Sequence, residues 1–241
     1  MQSLFRKHLQ LVHVLKHRSV CHCRLQLKGF FFSVCTAKLD LAFLIDGSGS
    51  VGLTNFRRCL SFIQNVIRGF RISTRYTRVA AEVYSSTPRR IFTFTQSRNA
   101  YQVLRAIGSI RYPGGGTNTG KALWDVLRYM FRGRTNRKRV LLVLTDGRSQ
   151  DHVLKPARAL KRANAEIFSV GVGRGYSMTQ LNEMATDRSH VFTADFRNLN
   201  SIIKAIKLKA CKGKYAFNTD VVALQTVQWY AFSKNRLWYF E

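Results

Sequence analysis

The stretch from Leu39 to Gly52, LDLAFLIDGSGSVG, constrains the fold more than any other part of the chain. A near-continuous apolar run ends in a turn carrying Asp46, Ser48 and Ser50, with Gly47, Gly49 and Gly52 around them. An apolar run of this length closed by glycines reads as a buried strand. A strand buried on both faces belongs to a parallel sheet covered by helices. Its polar residues then stand just past the carboxyl end of the strand, where open α/β sheets bind ligands. One carboxylate and two hydroxyls at alternate positions of a glycine-rich loop can turn their oxygens toward one point. Hard divalent cations such as Mg²⁺ take oxygen ligands of this kind.

The segments that follow supply the helices and strands such a sheet needs. Asn55 to Phe70 places Phe56, Leu60, Ile63, Val66, Ile67 and Phe70 at helical spacing, and Cys59 reads as a small buried residue on the same helix. Thr77 to Tyr84 reads as a strand, Ser85 to Pro88 as a turn, and Arg90 to Thr95 as a second strand. So short a turn makes an antiparallel hairpin. Asn99 to Ile107 is a short helix. Pro113 to Gly120, PGGGTNTG, is a loop whose three consecutive glycines let the backbone approach a ligand closely, and it enters a helix from Lys121 to Phe131. Val140 to Leu144 is a second fully apolar strand, followed by TDGRSQD from Thr145 to Asp151. Helices over Leu154 to Asn164, Met178 to Thr186 and Leu199 to Lys209 then alternate with strands over Ala165 to Val172 and His190 to Ala194. This alternation predicts a doubly wound α/β fold: a mostly parallel six-stranded sheet with one antiparallel edge strand and helices on both faces. A chain of 241 residues, 46% of them hydrophobic, is enough for one such domain with flanking segments. The expected divisions are a basic, irregular segment over 1–38, the α/β domain over 39–211, and an aromatic-rich tail over 212–241 with no assignable fold. Cys21, His22 and Cys23 in the first segment invite a metal reading, but no second cysteine or histidine pair follows at zinc spacing.

Two chemistries compete for the loop after the first strand. Gly47 to Gly52 fits GxGxxG between a strand and a helix, the dinucleotide fingerprint. That fingerprint also wants an acidic residue about twenty positions on to hold a ribose, and Ile63 to Ala81 contains none. A nucleotide would also leave Thr117 and Asp146 without a role. A cation uses all of them, because Asp46-x-Ser48-x-Ser50, Thr117 and Asp146 lie on three loops at the same edge of one sheet.

DxSxS, then GGTNTG, then LTDGRSQD resembles the metal-ion-dependent adhesion site of the von Willebrand factor type A domain family, the fold shared with integrin inserted domains. LTDGRSQD looks most like the modules of matrilins and non-fibrillar collagens. The resemblance covers Leu39 to Cys211. It implies that Ser48 and Ser50 bind a divalent cation (Mg²⁺, or Mn²⁺ or Ca²⁺) through their hydroxyls. Thr117 would bind directly or through water, and Asp46 and Asp146 would hold it mostly through water. An acidic side chain of a protein partner would complete the coordination. Asp151 is a weaker candidate and could instead cap the helix that begins near Val153. The family often staples its ends, which implies a Cys35–Cys211 disulfide and an oxidising, extracellular setting. The function implied is a non-enzymatic adhesion module for an extracellular-matrix protein such as a collagen. No Ser-His-Asp order or HExxH appears, so a catalytic constellation is not expected. The alternatives are an intracellular module of the same fold in a larger assembly and, ranked lower, a dinucleotide-binding enzyme.

Forty Lys and Arg against twelve Asp and Glu give a formal charge of +28, which attracts anionic partners. The loop RGRTNRKR offers Arg132, Arg134, Arg137, Lys138 and Arg139 as an anion-binding surface, with sulfated glycosaminoglycan or an acidic matrix protein the expected ligand. The plain alternative is a solvated basic surface with no single partner. Nothing resembles a motif that reads nucleic acid, so no specific nucleic-acid partner is expected. No apolar stretch is long enough to span a bilayer. The run Leu9 to Leu15 is interrupted by Gln10 and His13 and makes a poor signal-peptide core. The expected location is extracellular, with the chain read either as it stands or as a fragment of a longer secreted protein.

Overall fold

The computed structural model describes residues 33–96, 99–212, 215–217, 229–233 and 236–240. In chain order the main elements are β1 (Ser33–Cys35), β2 (Leu39–Asp46), α1 (Gly52–Arg68), β3 (Thr77–Tyr84), β4 (Pro88–Phe92), α2 (Ala100–Gly108) and α3 (Thr119–Asp125). They continue with β5 (Lys138–Thr145), α4 (Leu154–Arg162), β6 (Ala165–Val172), α5 (Met178–Met184), β7 (Val191–Ala194) and α6 (Ile203–Cys211). Three further strands follow: β8 (Tyr215–Phe217), β9 (Trp229–Ser233) and β10 (Arg236–Phe240). The Cys21-His22-Cys23 cluster lies outside the described residues.

Six strands form the central sheet in the order β4-β3-β2-β5-β6-β7. All neighbours are parallel except β4, which pairs antiparallel with β3. The expected antiparallel edge strand is therefore present, made by the tight turn that begins at Ser85. β2 is buried at every residue. Its alternate side chains feed two cores: Leu41, Phe43 and Ile45 on one face, Ala42 and Leu44 on the other. The first core is closed by α1, whose Phe56, Leu60, Ile63 and Ile67 recur at helical spacing. The second is closed by α3 and α4 through Ala122, Leu123, Ala157 and Leu160. Both faces of the sheet are thus covered, which explains why β2 and β5 read as unbroken apolar runs.

The connections decide where a ligand would sit. From β2 the chain moves outward to β3 and β4, then returns to the other side of β2 as β5. The order reverses between β2 and β5, and α/β sheets bind ligands at the crevice such a reversal opens. Asp46 ends β2, and Asp146 directly follows β5.

The opposite end of the sheet is closed by covalent and backbone links. Cys35 and Cys211 form a disulfide, both residues buried, joining β1 to the end of α6. β1 also pairs antiparallel with β8, and Cys35 exchanges backbone hydrogen bonds with Gly69 and Arg71 beyond α1. A native bridge closing so long a loop contributes about 2–4 kcal/mol. Cys59 is buried and unbridged, as expected. β9 and β10 make a separate antiparallel pair. Among the described residues no helix is long and apolar enough to cross a membrane.

Candidate metal centre

Four of the five expected metal ligands are joined in one chain of hydrogen bonds. The Ser48 amide donates to Asp46 Oδ1 at 2.9 Å. The hydroxyls of Ser48 and Ser50 lie 3.1 Å apart. Ser50 Oγ donates to Asp146 Oδ1 at 2.9 Å. Carboxylates from the ends of β2 and β5 are thereby linked through the Ser48 amide and two serine hydroxyls. Ser48 is fully buried and Ser50 exposed, so the chain runs from the sheet edge outward.

Thr117 reaches the same edge through its backbone. Its amide donates to Gln150 Oε1 at 3.1 Å, and its carbonyl accepts from the Gln150 amide at 2.8 Å. The Gly49 amide donates to the Gly115 carbonyl at 2.8 Å, tying the Thr117 loop to the serine loop as well. The close approach requires small residues: a Cβ on Gly47 would stand 2.7 Å from the Pro113 ring, and one on Gly175 would stand 2.7 Å from the Asp146 carbonyl. Tyr112 Oη donates to the Ser48 carbonyl at 2.8 Å and fixes the loop from the side.

Asp151 does not cap its own helix. Its carboxylate accepts from the amides of Gly120 and Lys121 at 2.6 and 2.8 Å. It therefore caps α3, the helix that Thr117 leads into, and favours that N-terminus electrostatically.

Two positions that the sequence did not single out hold Asp46, and a third, Thr119, backs one of them. Thr145 Oγ1 donates to Asp46 Oδ2 at 2.8 Å. Tyr84 Oη donates to the same oxygen at 3.3 Å and accepts from Thr119 Oγ1 at 3.2 Å. Each stands at the end of a strand or the start of a helix next to β2. The available signal was positional: Tyr84 closes β3 beside Asp46 in the sheet register, and Thr145 closes β5.

The electrostatics of the edge all lean one way. Burial pushes the Asp46 carboxyl above its ordinary range, opposed by the bonds from Ser48, Thr145 and Tyr84. Asp146 is pushed up to about 6, first by burial and then by the charge of Asp46, against the Ser50 hydrogen bond. Burial and the Asp46 charge hold the Tyr84 hydroxyl well above its usual value. The Cys59 thiol behind the loop rises to about 12 through burial and both aspartates, which leaves it unreactive. Burial is the first cause of every shift, and no cationic side chain is among the groups that oppose it. The candidate ligands are all oxygens, and among the described residues no cluster of three or more His, Cys, Asp or Glu could hold a metal ion, so a cation at this edge would need the serine hydroxyls as well as the carboxylates. Two carboxylates and two hydroxyls, with the Thr117 loop tied to the same edge, fit a hard divalent cation.

The basic loop divides. Arg132 and Arg134 are exposed, whereas the other three turn to partners within the fold. Arg137 Nε pairs with Asp40 at 2.7 Å and its other nitrogens reach the carbonyls of Leu39, Thr74 and Tyr76. Lys138 pairs with Glu166 and donates to the Ala210 carbonyl at 2.9 Å. Arg139 is buried and donates to the carbonyls of Ala163 and Gly133.

An α/β sheet with an all-oxygen site at its switch point defines the class, and comparison with known proteins defines the family. Residues 40–205 match the model of the von Willebrand factor type A domain. The chain belongs to that family. It is 40% identical over 184 residues to cochlin of Cavia porcellus, covering 74% of this chain and 33% of cochlin. It is 35% identical over 181 residues to vitrin of Mus musculus, covering 73% of this chain and 28% of vitrin. The chain thus spans about a third or less of these relatives. Among solved structures, proximal thread matrix protein 1 of the mussel byssus with a zinc-occupied MIDAS motif superposes with a TM-score of 0.70 at 23% identity, covering 74% of this chain and 47% of that one.

Proposed function

We propose that this chain is a non-enzymatic adhesion module that engages an extracellular-matrix protein, such as a collagen, through a divalent cation, Mg²⁺ by preference. Asp46, Ser48, Ser50, Thr117 and Asp146 hold the ion. The observation that carries this is the Asp46–Ser48–Ser50–Asp146 chain, two buried carboxylates linked through the Ser48 amide and the two serine hydroxyls, with no protein cation among their hydrogen-bond partners. A bound cation supplies an electrophilic centre open to one further oxygen ligand. The protein's own part is to fix the hydroxyls and to keep both carboxylates in place through Thr145, Tyr84 and Ser50. Octahedral Mg²⁺ sites commonly retain open or water-filled positions, and an acidic side chain of a partner suits one of them.

The loop backbone argues against a nucleotide. A phosphate at a glycine-rich turn needs free amides. Here the amides of Gly47, Ser48 and Gly49 already donate to the Tyr84 carbonyl, Asp46 and the Gly115 carbonyl. His190, a conceivable general base, lies against Asp187 and Glu166, on a different element from the aspartate loops. The buried Cys35–Cys211 bridge favours an extracellular setting over an intracellular assembly. On the same reading the excess positive charge serves sulfated glycosaminoglycan in the matrix.

A solid-phase screen against collagens, laminins and heparin, in Mg²⁺ and then in EDTA, tests this function. Binding to at least one protein ligand should require Mg²⁺ and disappear in Asp46→Ala. Protein binding that ignores both EDTA and Asp46→Ala would defeat the cation-bridged mode.

A further inference from the structure

We propose that the base of the sheet, at the far end from the aspartate loops, carries a site for a sulfated polysaccharide chain held by Arg132, Arg134 and Arg162. Two adjoining cavities of about 660 and 690 Å³ lie there, and Arg134, Thr135, Asn136, Arg137 and Arg139 line both. Arg132 lines only the first and Arg162, with Asn164, only the second. The five shared lining residues make the two cavities neighbours, with room for more than a single ion.

The charges around these cavities have two roles. Arg137 and Arg139 are committed to Asp40 and to backbone carbonyls, and form a fixed positive floor. Among the described residues Asp40 is the only carboxylate lining either cavity, and two guanidiniums already neutralise it. Arg132, Arg134 and Arg162 are exposed and enter no ion pair among the described residues. Their planar forks are free for bidentate contact with the oxygens of an anion. A polymer with repeated sulfates fits three such forks on two adjoining cavities. The apolar side chains in the lining, Phe94 and Met130, are buried and give no platform on which bases could stack. This favours a polysaccharide over a nucleic acid.

The strand β2 that joins base and aspartate edge has eight residues, so the two ends stand roughly 23 Å apart. That separation is nearly three Debye lengths at physiological salt, about 8 Å each. The chain can therefore hold a protein ligand at one end and a polysaccharide at the other without competition. The choice of polyanion rests on the matrix-module reading, but the cation plays no part in the test, so either can fail alone.

The test is heparin affinity of the full chain against salt concentration. Arg132→Glu/Arg134→Glu/Arg162→Glu should weaken binding about tenfold or more and lower the log–log salt slope by about the three lost contacts. The neutral triple Arg132→Gln/Arg134→Gln/Arg162→Gln should do the same more mildly, with thermal unfolding unchanged in both. A control of equal charge, Arg57→Glu/Arg105→Glu/Lys155→Glu, should have a much smaller effect. EDTA and Asp46→Ala should leave heparin binding as it is. Equal losses in the site and control triples would overturn the proposal in favour of a diffuse basic surface. Heparin binding abolished by EDTA would also overturn it, as would duplex DNA binding as tightly as heparin at the same salt.

Discussion

Asp40 and Asp46 sit six residues apart on one strand, on the same face, each 3% exposed. Asp40 is gripped by Arg78, at 2.6 Å, and by Arg137, at 2.7 Å. Asp46 receives only neutral donors: an amide, a threonine and a tyrosine. Glu82, buried two residues before the end of the neighbouring strand, receives no hydrogen-bond donor at either oxygen among the described residues. Its proton stays on, because burial, with the Asp125 carboxylate adding to it, pushes its carboxyl up to about 9. A buried carboxylate must be neutralised by something. The base of the sheet uses the protein's own cations, Glu82 uses a proton, and on the proposed function the upper edge leaves the charge to an ion from solution. The first two arrangements are structural, and the third suits function.

The largest effect should separate Asp40 from Asp46. Asp40→Asn removes the counter-charge of a guanidinium that is 6% exposed, and breaking a buried pair from one side costs about 3–5 kcal/mol. Asp46→Asn removes a charge the fold itself does not neutralise. Without cation it should change stability by no more than about 1 kcal/mol in either direction. Urea unfolding of both variants, with and without Mg²⁺, gives the contrast. The wild type should gain stability in Mg²⁺ by mass action, Asp40→Asn should keep whatever gain its fold allows, and Asp46→Asn should gain nothing. Equal destabilisation by the two substitutions would erase the distinction between the two ends of the strand.

Glu82 sharpens the same contrast through pH. The folded chain keeps this proton up to about pH 9, whereas an unfolded glutamate releases it near 4.5. The contribution is complete below pH 4.5 and is lost as pH rises toward 9, at about 1.4 kcal/mol per pH unit. Between pH 7 and 9, above the range in which Asp146 titrates, wild-type stability should fall more steeply than that of Glu82→Gln. Unfolding midpoints at several pH values check this, and parallel curves for the two proteins would mean that Glu82 is neutralised by a partner rather than by a proton.

The division among these carboxylates shows what the sequence could and could not disclose. The sheet was legible because β2 and β5 are buried on both faces, and burial on both faces leaves an unbroken apolar run. The strand Thr77–Tyr84 was legible to the residue because Ser85 to Pro88 closes it. The aspartates, serines and threonine of the edge were legible as a pattern on three loops. Their supports were not. Tyr84 reads as an ordinary strand aromatic until the register sets it beside Asp46, and Asp151 reads as a local cap although its acceptors serve α3, about 30 residues earlier. The basic loop was misleading for the same reason. Composition shows that Arg137 is charged, but only the fold brings it to Asp40, 97 residues away in sequence. A change to five-residue hydrogen bonding over Val126–Met130, which ends the α3 segment early, also left no mark in the apolar spacing.

The smallest effect expected is the most specific to the upper edge. Tyr84 is fully buried, and its hydroxyl bridges Thr119 and Asp46. Tyr84→Phe keeps the ring and removes the bridge, so Thr119 loses an acceptor and Asp46 a donor. Each buried group left with one partner fewer costs about 1 kcal/mol, and Thr145 still holds the same Asp46 oxygen at 2.8 Å. Stability should therefore fall only slightly. Cation affinity should respond more, because partners that orient a ligand carboxylate from behind are worth roughly tenfold or more in metal binding. One term partly offsets this loss. The long Tyr84 bond, at 3.3 Å, withdraws some charge from Asp46, and its removal leaves the carboxylate a stronger attractor for the ion. Orientation should outweigh attraction, since Asp46 sits behind Ser48, whose amide it holds, and any swing of the carboxylate moves the serine loop with it. Calorimetric titration with Mn²⁺ should show weaker binding in Tyr84→Phe, whereas tighter binding would mean that the edge is governed by net charge alone and that the geometry around Asp46 matters less than its burial.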